Sequence, residues 1–267
     1  AKTFLSPHVS TTNGADWAAP RSGALVLEGV DGAVIDGCTF DTLGGSAVLW
    51  SGFVRNAVIS NSTFSWIGGN GVLAIGDDDW GNATDGEHPL HNSIDSCLFR
   101  EIGVYAKHSG AYAEFVAGAV KITNSIIFNV PRAAIALNDA MGGGNEIAHS
   151  LIFNAVRESE DHGPINTWNR QAYLTLDPIT GNPTVNQTEN QIHHNFIMAG
   201  TGDNTFPIDH DDGSATYHDH HNALFFGPTK QWEGNSKRTI SNIQVWPDFG
   251  TGPTRASCID YQSSGWS

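Results

Sequence analysis

The feature that most constrains the fold is a seven-residue phrase that recurs along the chain. It reads VIDGCTF at 34–40, VISNSTF at 58–64, SIDSCLF at 93–99, KITNSII at 121–127 and EIAHSLI at 146–152, with weaker copies at 191–197 and 239–245. Its anchor isoleucines are Ile35, Ile59, Ile94, Ile122, Ile147, Ile192 and Ile240. They are separated by 24, 35, 28, 25, 45 and 48 residues, which is a base period near 24 with insertions. A period in the twenties is typical of solenoids.

The repeats are made of short strands, because apolar residues alternate with polar ones and are mostly β-branched or aromatic. A second short run follows a Gly or Pro turn in each repeat, at 47–50, 71–74, 105–108, 134–137, 164–167 and 207–210. Two or three strands per repeat, stacked in register, predict an all-β, right-handed parallel β-helix of about seven rungs, where a rung is one turn of the solenoid. We expect a single domain over 1–267, with rungs at about 23–248 and a C-terminal tail at 249–267, and leave open that it belongs to a longer chain.

Charge and hydropathy exclude some classes of partner. Acidic residues outnumber basic ones 28 to 13, for a formal charge of −15, so nucleic acid is not an expected partner. No apolar stretch approaches the roughly 18 residues of a membrane span. Sequons at Asn61, Asn82 and Asn186 are candidate N-glycosylation sites. We expect an extracellular protein, secreted or at the cell surface.

The three cysteines, Cys38, Cys97 and Cys258, do not form an even set. Equivalent positions on neighbouring rungs lie about 4.8 Å apart, so Cys38 and Cys97, two rungs apart, are about 9.6 Å from each other. Disulfides need Cα atoms within about 7 Å. The sequence therefore predicts free thiols in an internal turn column, which reads Cys38, Ser62, Cys97, Ser125, Ser150, Asn195.

A groove is predicted where the outward face of the second strand run becomes polar. The expected outward column reads Leu49, Leu73, Lys107, Ala136, Asn166, Asp209. Two positions further on, the later rungs carry Asn138, Trp168 and Asp211, and the next column ends in Asp139, Asn169 and Asp212. Long insertions beside these rungs favour a functional site there.

Residues 157–162 (RESEDH) form a charged loop, followed by Trp168 and Arg170. This loop suits either a salt-bridged cap or a sugar-binding or catalytic loop. Trp168 suits either packing or a platform for a pyranose ring.

Residues 209–214 (DHDDGS) and 217–221 (YHDHH) repeat the charged character one rung later. Strand alternation puts His218 and His220 on one face and His221 on the other, without a fourth ligand at zinc spacing, so no metal site is assigned. The group Asp209, Asp211 and Asp212 would suit calcium, and no other cofactor is expected.

At these residues the sequence resembles right-handed β-helix proteins of the pectate-lyase-like superfamily, which are related to β-helical glycoside hydrolases. The resemblance runs from about 23 to 248 and is most specific at 138–145, 157–164, 166–170 and 208–214. It implies a carbohydrate-facing groove with the candidate residues Asp139, Asp161, His162, Asp209, Asp211 and Asp212. Substrate contacts are assigned to Lys107, Arg157, Asn166, Trp168, Arg170 and His210. Relatives commonly have Asp where this chain has Asn169, which puts catalysis in doubt and leaves open whether the protein is an enzyme.

Within this resemblance, Asp139 and Asp212 would lie two rungs apart, roughly 9.6 Å. That is near the upper end of the spacing of inverting glycosidases, about 6.5 to 9.5 Å. We therefore predict an inverting pair with Asp212 as acid and Asp139 as base, or the reverse.

Three functional hypotheses follow. The first is a polysaccharide-acting glycoside hydrolase. The second is a non-catalytic structural or glycan-binding module of a surface, wall or filament, able to stack on other modules. The third is a polysaccharide lyase with Lys107, Arg157 or His162 as base.

Overall fold

The structure is a computed structural model. It describes residues 19–76, 83–138, 143–159, 162–168, 174–177, 180–185, 188–200, 206–211, 213–227, 229–231, 237–245 and 259–264. The described residues form strands and turns, and they include no helix that is long and apolar enough to cross a membrane.

Most strands stack in three parallel columns, and each rung contributes one strand to each column. The first column contains β1 (Leu25–Asp31), β4 (Val48–Arg55), β7 (Val72–Ile75), β10 (Tyr112–Phe115), β13 (Ile135–Asn138), β16 (Ile165–Trp168), β21 (Ile208–His210) and β24 (Thr229–Gln231). The second contains β2 (Val34–Asp36), β5 (Val58–Ser60), β8 (Ser93–Asp95), β11 (Lys121–Thr123), β14 (Glu146–Ala148), β19 (Asn190–His193) and β22 (Tyr217–His220). The third contains β3 (Thr39–Leu43), β6 (Thr63–Ile67), β9 (Leu98–Ile102), β12 (Ile126–Phe128), β15 (Leu151–Phe153), β20 (Phe196–Met198) and β23 (Ala223–Phe225).

The long strand β25 (Lys237–Val245) continues both the second and the third column. Three further strands run antiparallel to a neighbour: β17 (Thr175–Leu176) pairs with β18 (Pro183–Thr184), and β26 (Ile259–Ser264) pairs with β25. We number the rungs 1 to 7 by their first-column strands, β1 to β21, and an eighth begins with β24. The all-β parallel β-helix predicted from the repeat is confirmed.

A tight turn separates the second and third columns, and its central residue is in the left-handed region. Asn61 and Asn124 hold this position with φ of 48° and 51°. Asparagine adopts positive φ more readily than most residues. The amides of Asn61 and Asn124 also donate to the carboxylates of Asp36 and Asp95, at 2.8 and 2.7 Å. The turn explains why the repeated phrase has a short polar residue or Gly after its first strand.

The interior is a ladder of apolar side chains contributed by the phrase. Its isoleucines stack rung on rung, at Ile59, Ile94, Ile122, Ile147 and Ile192, and all are fully buried or nearly so. The ring of Phe64 stacks on those of Phe40 and Phe99, with centroids 4.8 and 4.4 Å apart. Apolar burial at about 25 cal/mol per Å² is the main stabilising contribution along the axis.

A polar ladder fills the inside of the tight turn. It runs Cys38, Ser62, Cys97, Ser125, Ser150, Asn195, Asn222, Asn242. A backbone N–H of one rung donates to a side-chain oxygen of the next, as from Cys38 N to Ser62 Oγ at 3.1 Å. The predicted turn column is confirmed, and Cys38 and Cys97 are free thiols as expected. Cys258 lies outside the described residues.

The last anchor of the repeat was predicted wrongly. Ile192 pairs with Asp219, which pairs with Thr239, so rung 7 lies between Ile192 and Ile240. The interval of 48 residues therefore holds two rungs. Periodicity missed this rung because an aspartate takes the interior place of isoleucine.

The register expected for Lys107 was also wrong. In rung 4 the first-column strand is β10, and Ala113 pairs with Leu73 on one side and Ala136 on the other. Lys107 lies in the connection before this strand and is exposed.

Candidate functional site

The outward face of the first column becomes polar in rungs 5 to 8. Aligned outward positions on β13, β16, β21 and β24 are Ala136, Asn166, Asp209 and Lys230. Two positions further on are Asn138, Trp168 and Asp211. We call these seven residues the outward patch. In rungs 2 to 4 the same face is apolar and buried, with Leu49, Leu73 and Phe115 in one cluster separate from the interior.

Asp209 is the most unusual titratable group of the outward patch. It is fully buried, and its Oδ1 lies 3.0 Å from Nζ of Lys230, whose side chain is 13% exposed. Burial raises the pKa of Asp209 to about 6, although the neighbouring Lys230 ammonium acts in the opposite direction. A carboxylic acid with such a pKa can carry a proton near neutral pH and donate it.

Asp211 belongs to the same charge cluster. Its Oδ1 is 3.4 Å from the Lys230 ammonium, and its side chain is 26% exposed. Because both carboxylates contact one nitrogen, at 3.0 and 3.4 Å, the Oδ1 atoms of Asp209 and Asp211 lie at most 6.4 Å apart. The better-solvated Asp211 and the buried Asp209 thus differ in environment, which is how paired carboxylates acquire different roles.

Two buried asparagines complete the polar part of the patch. Both side-chain polar atoms of Asn138 and the Nδ2 of Asn166 are buried and have no hydrogen-bond partner among the described residues. Buried polar atoms are nearly always paired in folded proteins. Unpaired amides beside a protonatable carboxyl are suited to hydroxyl groups of a ligand.

Trp168 is only 5% exposed, so packing accounts for much of its environment. Its role as a sugar platform stays a prediction.

Two described residues of the predicted charged loop, Arg157 and Glu158, form ion pairs. Lys107 Nζ lies 2.9 Å from Glu158, and Arg157 lies 3.8 Å from Glu101. Both pairs are solvent-exposed, and such pairs contribute roughly 0 to 1 kcal/mol. This favours the salt-bridged cap, and the substrate contacts predicted for Lys107 and Arg157 have no support in this geometry.

His162 contacts Arg132. Its Nε2 lies 2.6 Å from Nη2 of Arg132, which is 6% exposed. Arg132 was not identified from the sequence, because a single Arg after Pro131 carries no recognisable motif.

His210 points into the solenoid, away from Asp209. Its Nδ1 lies 2.9 Å from Oγ1 of Thr167 and its Nε2 lies 2.8 Å from Oδ2 of Asp219. All three residues are buried. The substrate contact predicted for His210 does not fit this placement, because strand alternation turns it to the face opposite Asp209.

Several candidates lie outside the described residues. These are Asp139, Asp161, Asn169, Arg170, Asp212 and the sequons at Asn82 and Asn186. The inverting pair of Asp139 and Asp212 therefore stays a prediction. The remaining sequon residue, Asn61, is exposed at its turn.

A second surface feature was missed by sequence reasoning. Trp66 and Tyr105 are 49% and 75% exposed and line a cleft of about 420 Å³ together with Thr42, Gly44 and Val104. Trp66 is in the left-handed region at φ 55°, and its ring points away from the interior, whereas most other residues of strand β6 are buried.

Comparisons with known proteins identify a related fold but no family. Neither a scan against protein-family models nor a search of curated proteins gives a match. Among solved structures, the chain is similar to one named "Glycoside hydrolase", with a TM-score of 0.54 and 18% sequence identity. The alignment covers 86% of this chain and 38% of that one. At this identity the similarity shows the fold alone, and the pectate-lyase-like superfamily stays a prediction.

Proposed function

We propose that this protein is an extracellular, carbohydrate-active β-helix protein that hydrolyses a polysaccharide at the outward patch. The observation that carries this proposal is the buried Asp209 carboxyl, with its pKa raised to about 6. On the same solenoid face, the side-chain amide of Asn138 and the Nδ2 of Asn166 have no hydrogen-bond partner among the described residues. The similarity in fold to a structure named "Glycoside hydrolase" agrees with a carbohydrate-related function.

In the proposed reaction, protonated Asp209 donates to the oxygen of the scissile glycosidic bond. A second carboxylate removes a proton from the attacking water. Asp211 is the nearest described carboxylate on this face, and Asp139 and Asp212 are the pair predicted from sequence for an inverting reaction. Lys230 would stabilise the Asp209 carboxylate after it has lost its proton.

The test is Asp209→Asn on the purified protein, with oligosaccharides released from a panel of polysaccharides measured by mass spectrometry. The variant should lose about 10²-fold or more of its turnover, the usual contribution of a general acid. Asp31→Asn, an exposed position at the far end of the first column, is the matched control and should keep its activity. Full activity of Asp209→Asn on an identified glycan would overturn the assignment.

A non-catalytic glycan-binding module is the second candidate, and the cleft at Trp66 and Tyr105 favours it. Exposed aromatic rings beside a cavity are typical platforms for sugars. Glycan binding without release of fragments would favour this function over hydrolysis, and loss of that binding in Trp66→Ala would place it at the cleft.

A further inference from the structure

Histidines line the tight turn on the outside of rungs 5, 6 and 7. His149, His194 and His221 hold the left-handed turn position, with φ of 54°, 55° and 55°. His193 and His220 precede the last two and pair in register with each other. Rings of neighbouring rungs stack with centroids 4.7 to 5.1 Å apart. We call these five residues the histidine array.

Within a rung, two ring nitrogens approach closely. Nδ1 of His193 lies 2.9 Å from Nδ1 of His194, and the corresponding distance for His220 and His221 is 2.8 Å. Two ligands at right angles on one ion, as in the square-planar or tetragonal sites of Cu²⁺ and Ni²⁺, would be about 2.9 Å apart if each lies about 2.0 to 2.1 Å from the ion. The repeated pair therefore has the spacing of neighbouring ligands on one metal ion.

Hydrogen bonds on the far side of two rings favour the tautomer needed for such ligation. Nε2 of His193 lies 3.4 Å from a carboxylate oxygen of Glu146, and Nε2 of His220 lies 3.2 Å from Oε1 of Gln191. A neutral ring that donates from Nε2 has its lone pair on Nδ1. Such an outer acceptor is the usual support of a metal-binding histidine.

The array contains two overlapping sets of three ligands. His149, His193 and His194 form one, and His194, His220 and His221 form the other, with all ligand atoms of a set within 4.8 Å of one another. Sets made only of imidazole suit borderline ions such as Cu²⁺, Ni²⁺ and Zn²⁺ and disfavour the oxygen-seeking Ca²⁺ and Mg²⁺. Residues 217–221 contribute only His220 and His221 to the second set, and its third ligand, His194, comes from the neighbouring rung.

We propose that the histidine array binds a divalent transition-metal ion of this borderline class and thereby ties rung 6 either to rung 5, through the first set, or to rung 7, through the second. Both sets share His194, so an ion in one set removes a ligand from the other, and one ion per chain is expected. The inference is independent of the carbohydrate chemistry, because the array lies on the turn after the second column and the outward patch lies on the first.

The test is titration of the full chain, free of any affinity tag, with NiCl₂ and ZnCl₂ by isothermal calorimetry. We expect saturable binding of one ion and a higher midpoint of thermal unfolding in the presence of the ion than in EDTA. His194→Asn should weaken binding at least about tenfold. Asparagine holds the same turn position at Asn61 and Asn124, so this variant retains the backbone geometry.

His91→Asn is the matched control, because His91 is also exposed and left-handed, at φ 58°, but lies outside the array. It should bind the ion like the unmodified chain. If His194→Asn does not fold, the double variant His149→Asn/His221→Asn removes one ligand from each set at the same turn position. No saturable binding, or equal binding by the unmodified chain and a folded array variant, would overturn the proposal.

Discussion

At the scale of single residues, strand alternation decides which polar groups can reach a ligand. Asp209 faces the outward patch, whereas its neighbour His210 is enclosed with Thr167 and Asp219. The two groups were equivalent in sequence, as adjacent members of one charged run. Asp209 is distinguished by its burial, which raises its pKa. It also has a counter-charge, the Lys230 ammonium, at 3.0 Å.

Replacing Lys230 by Met should move this pKa upward. The ammonium favours the charged carboxylate and so lowers the pKa of Asp209. Its removal takes away the largest effect that opposes burial, and the pKa should rise above about 6. A general acid loses activity as pH rises through its pKa, so the alkaline limb of the pH–rate profile should move to higher pH. The carbon-13 carboxyl shift of Asp209 gives the same titration without turnover. Lys121→Met, which removes an exposed ammonium, is the control. An unchanged or lower pKa in Lys230→Met would contradict the expected effect of the ion pair.

At the scale of elements, the repeated phrase predicted the second and third columns of rungs 1 to 6 and missed rung 7, whereas the first-column prediction was wrong in rung 4. Three positions of the phrase set its register, namely the isoleucine, the turn residue and the small ladder residue. The rungs predicted from these positions are confirmed for rungs 1 to 6. First-column strands lack such positions, so 105–108 was chosen over Tyr112–Phe115 in rung 4. The hydropathy pattern also did not identify Asp219 as an interior residue. Its burial depends on a contact with His210, which lies on a different strand and is not visible in the local sequence.

The candidate site was predictable in place but not in detail. Rising polarity along the outward column identified Asn166 and Asp209, because parallel strands in register align equivalent residues. Lys230 was missed, since its strand β24 carries no copy of the phrase. Burial and ion-pair partners depend on loops of varied length, which periodicity does not describe.

The interior pair of His210 and Asp219 should behave as one unit. Asp219→Ile restores the isoleucine ladder but leaves the buried Nε2 of His210 without its acceptor, so it should destabilise the fold by about 2 to 4 kcal/mol. His210→Leu should partly rescue this loss, because the column already holds Leu137 one rung below Thr167. Urea unfolding of both single variants and the double variant measures the coupling. Additive losses would show that the two side chains do not act together.

At the scale of the whole molecule, the solenoid is close to one-dimensional, and each rung is stabilised mainly by its neighbours. The interior of rungs 2 to 5 is dominated by isoleucine, valine and phenylalanine, with Glu114 bonded to Tyr112 and Asn145 as a polar exception. In rungs 6 and 7 the interior instead contains Thr167, His210, Ser214 and Asp219. Rungs with polar interiors bury less apolar surface, so the two parts should differ in stability.

Native-state hydrogen exchange, measured in EDTA so that no ion ties the rungs together, should reveal this difference. Amides of β5, β8 and β14 should exchange only through global unfolding. These strands carry the fully buried Ile59, Ile94 and Ile147, which are aligned with isoleucines of neighbouring rungs. Amides of β21 and β22 should exchange through a partial opening whose free energy is lower by roughly 2 kcal/mol or more, since opening there exposes groups that water can hydrogen-bond. Adding Ni²⁺ should raise the opening free energy of β19 more than that of β5, because His194, which directly follows β19, is a ligand in both sets, whereas β5 carries no residue of the histidine array. Equal opening free energies at all these strands would instead mean that the rungs unfold as a single cooperative unit. The polar interior would then lower the free energy of unfolding of the whole solenoid and not that of rungs 6 and 7 alone.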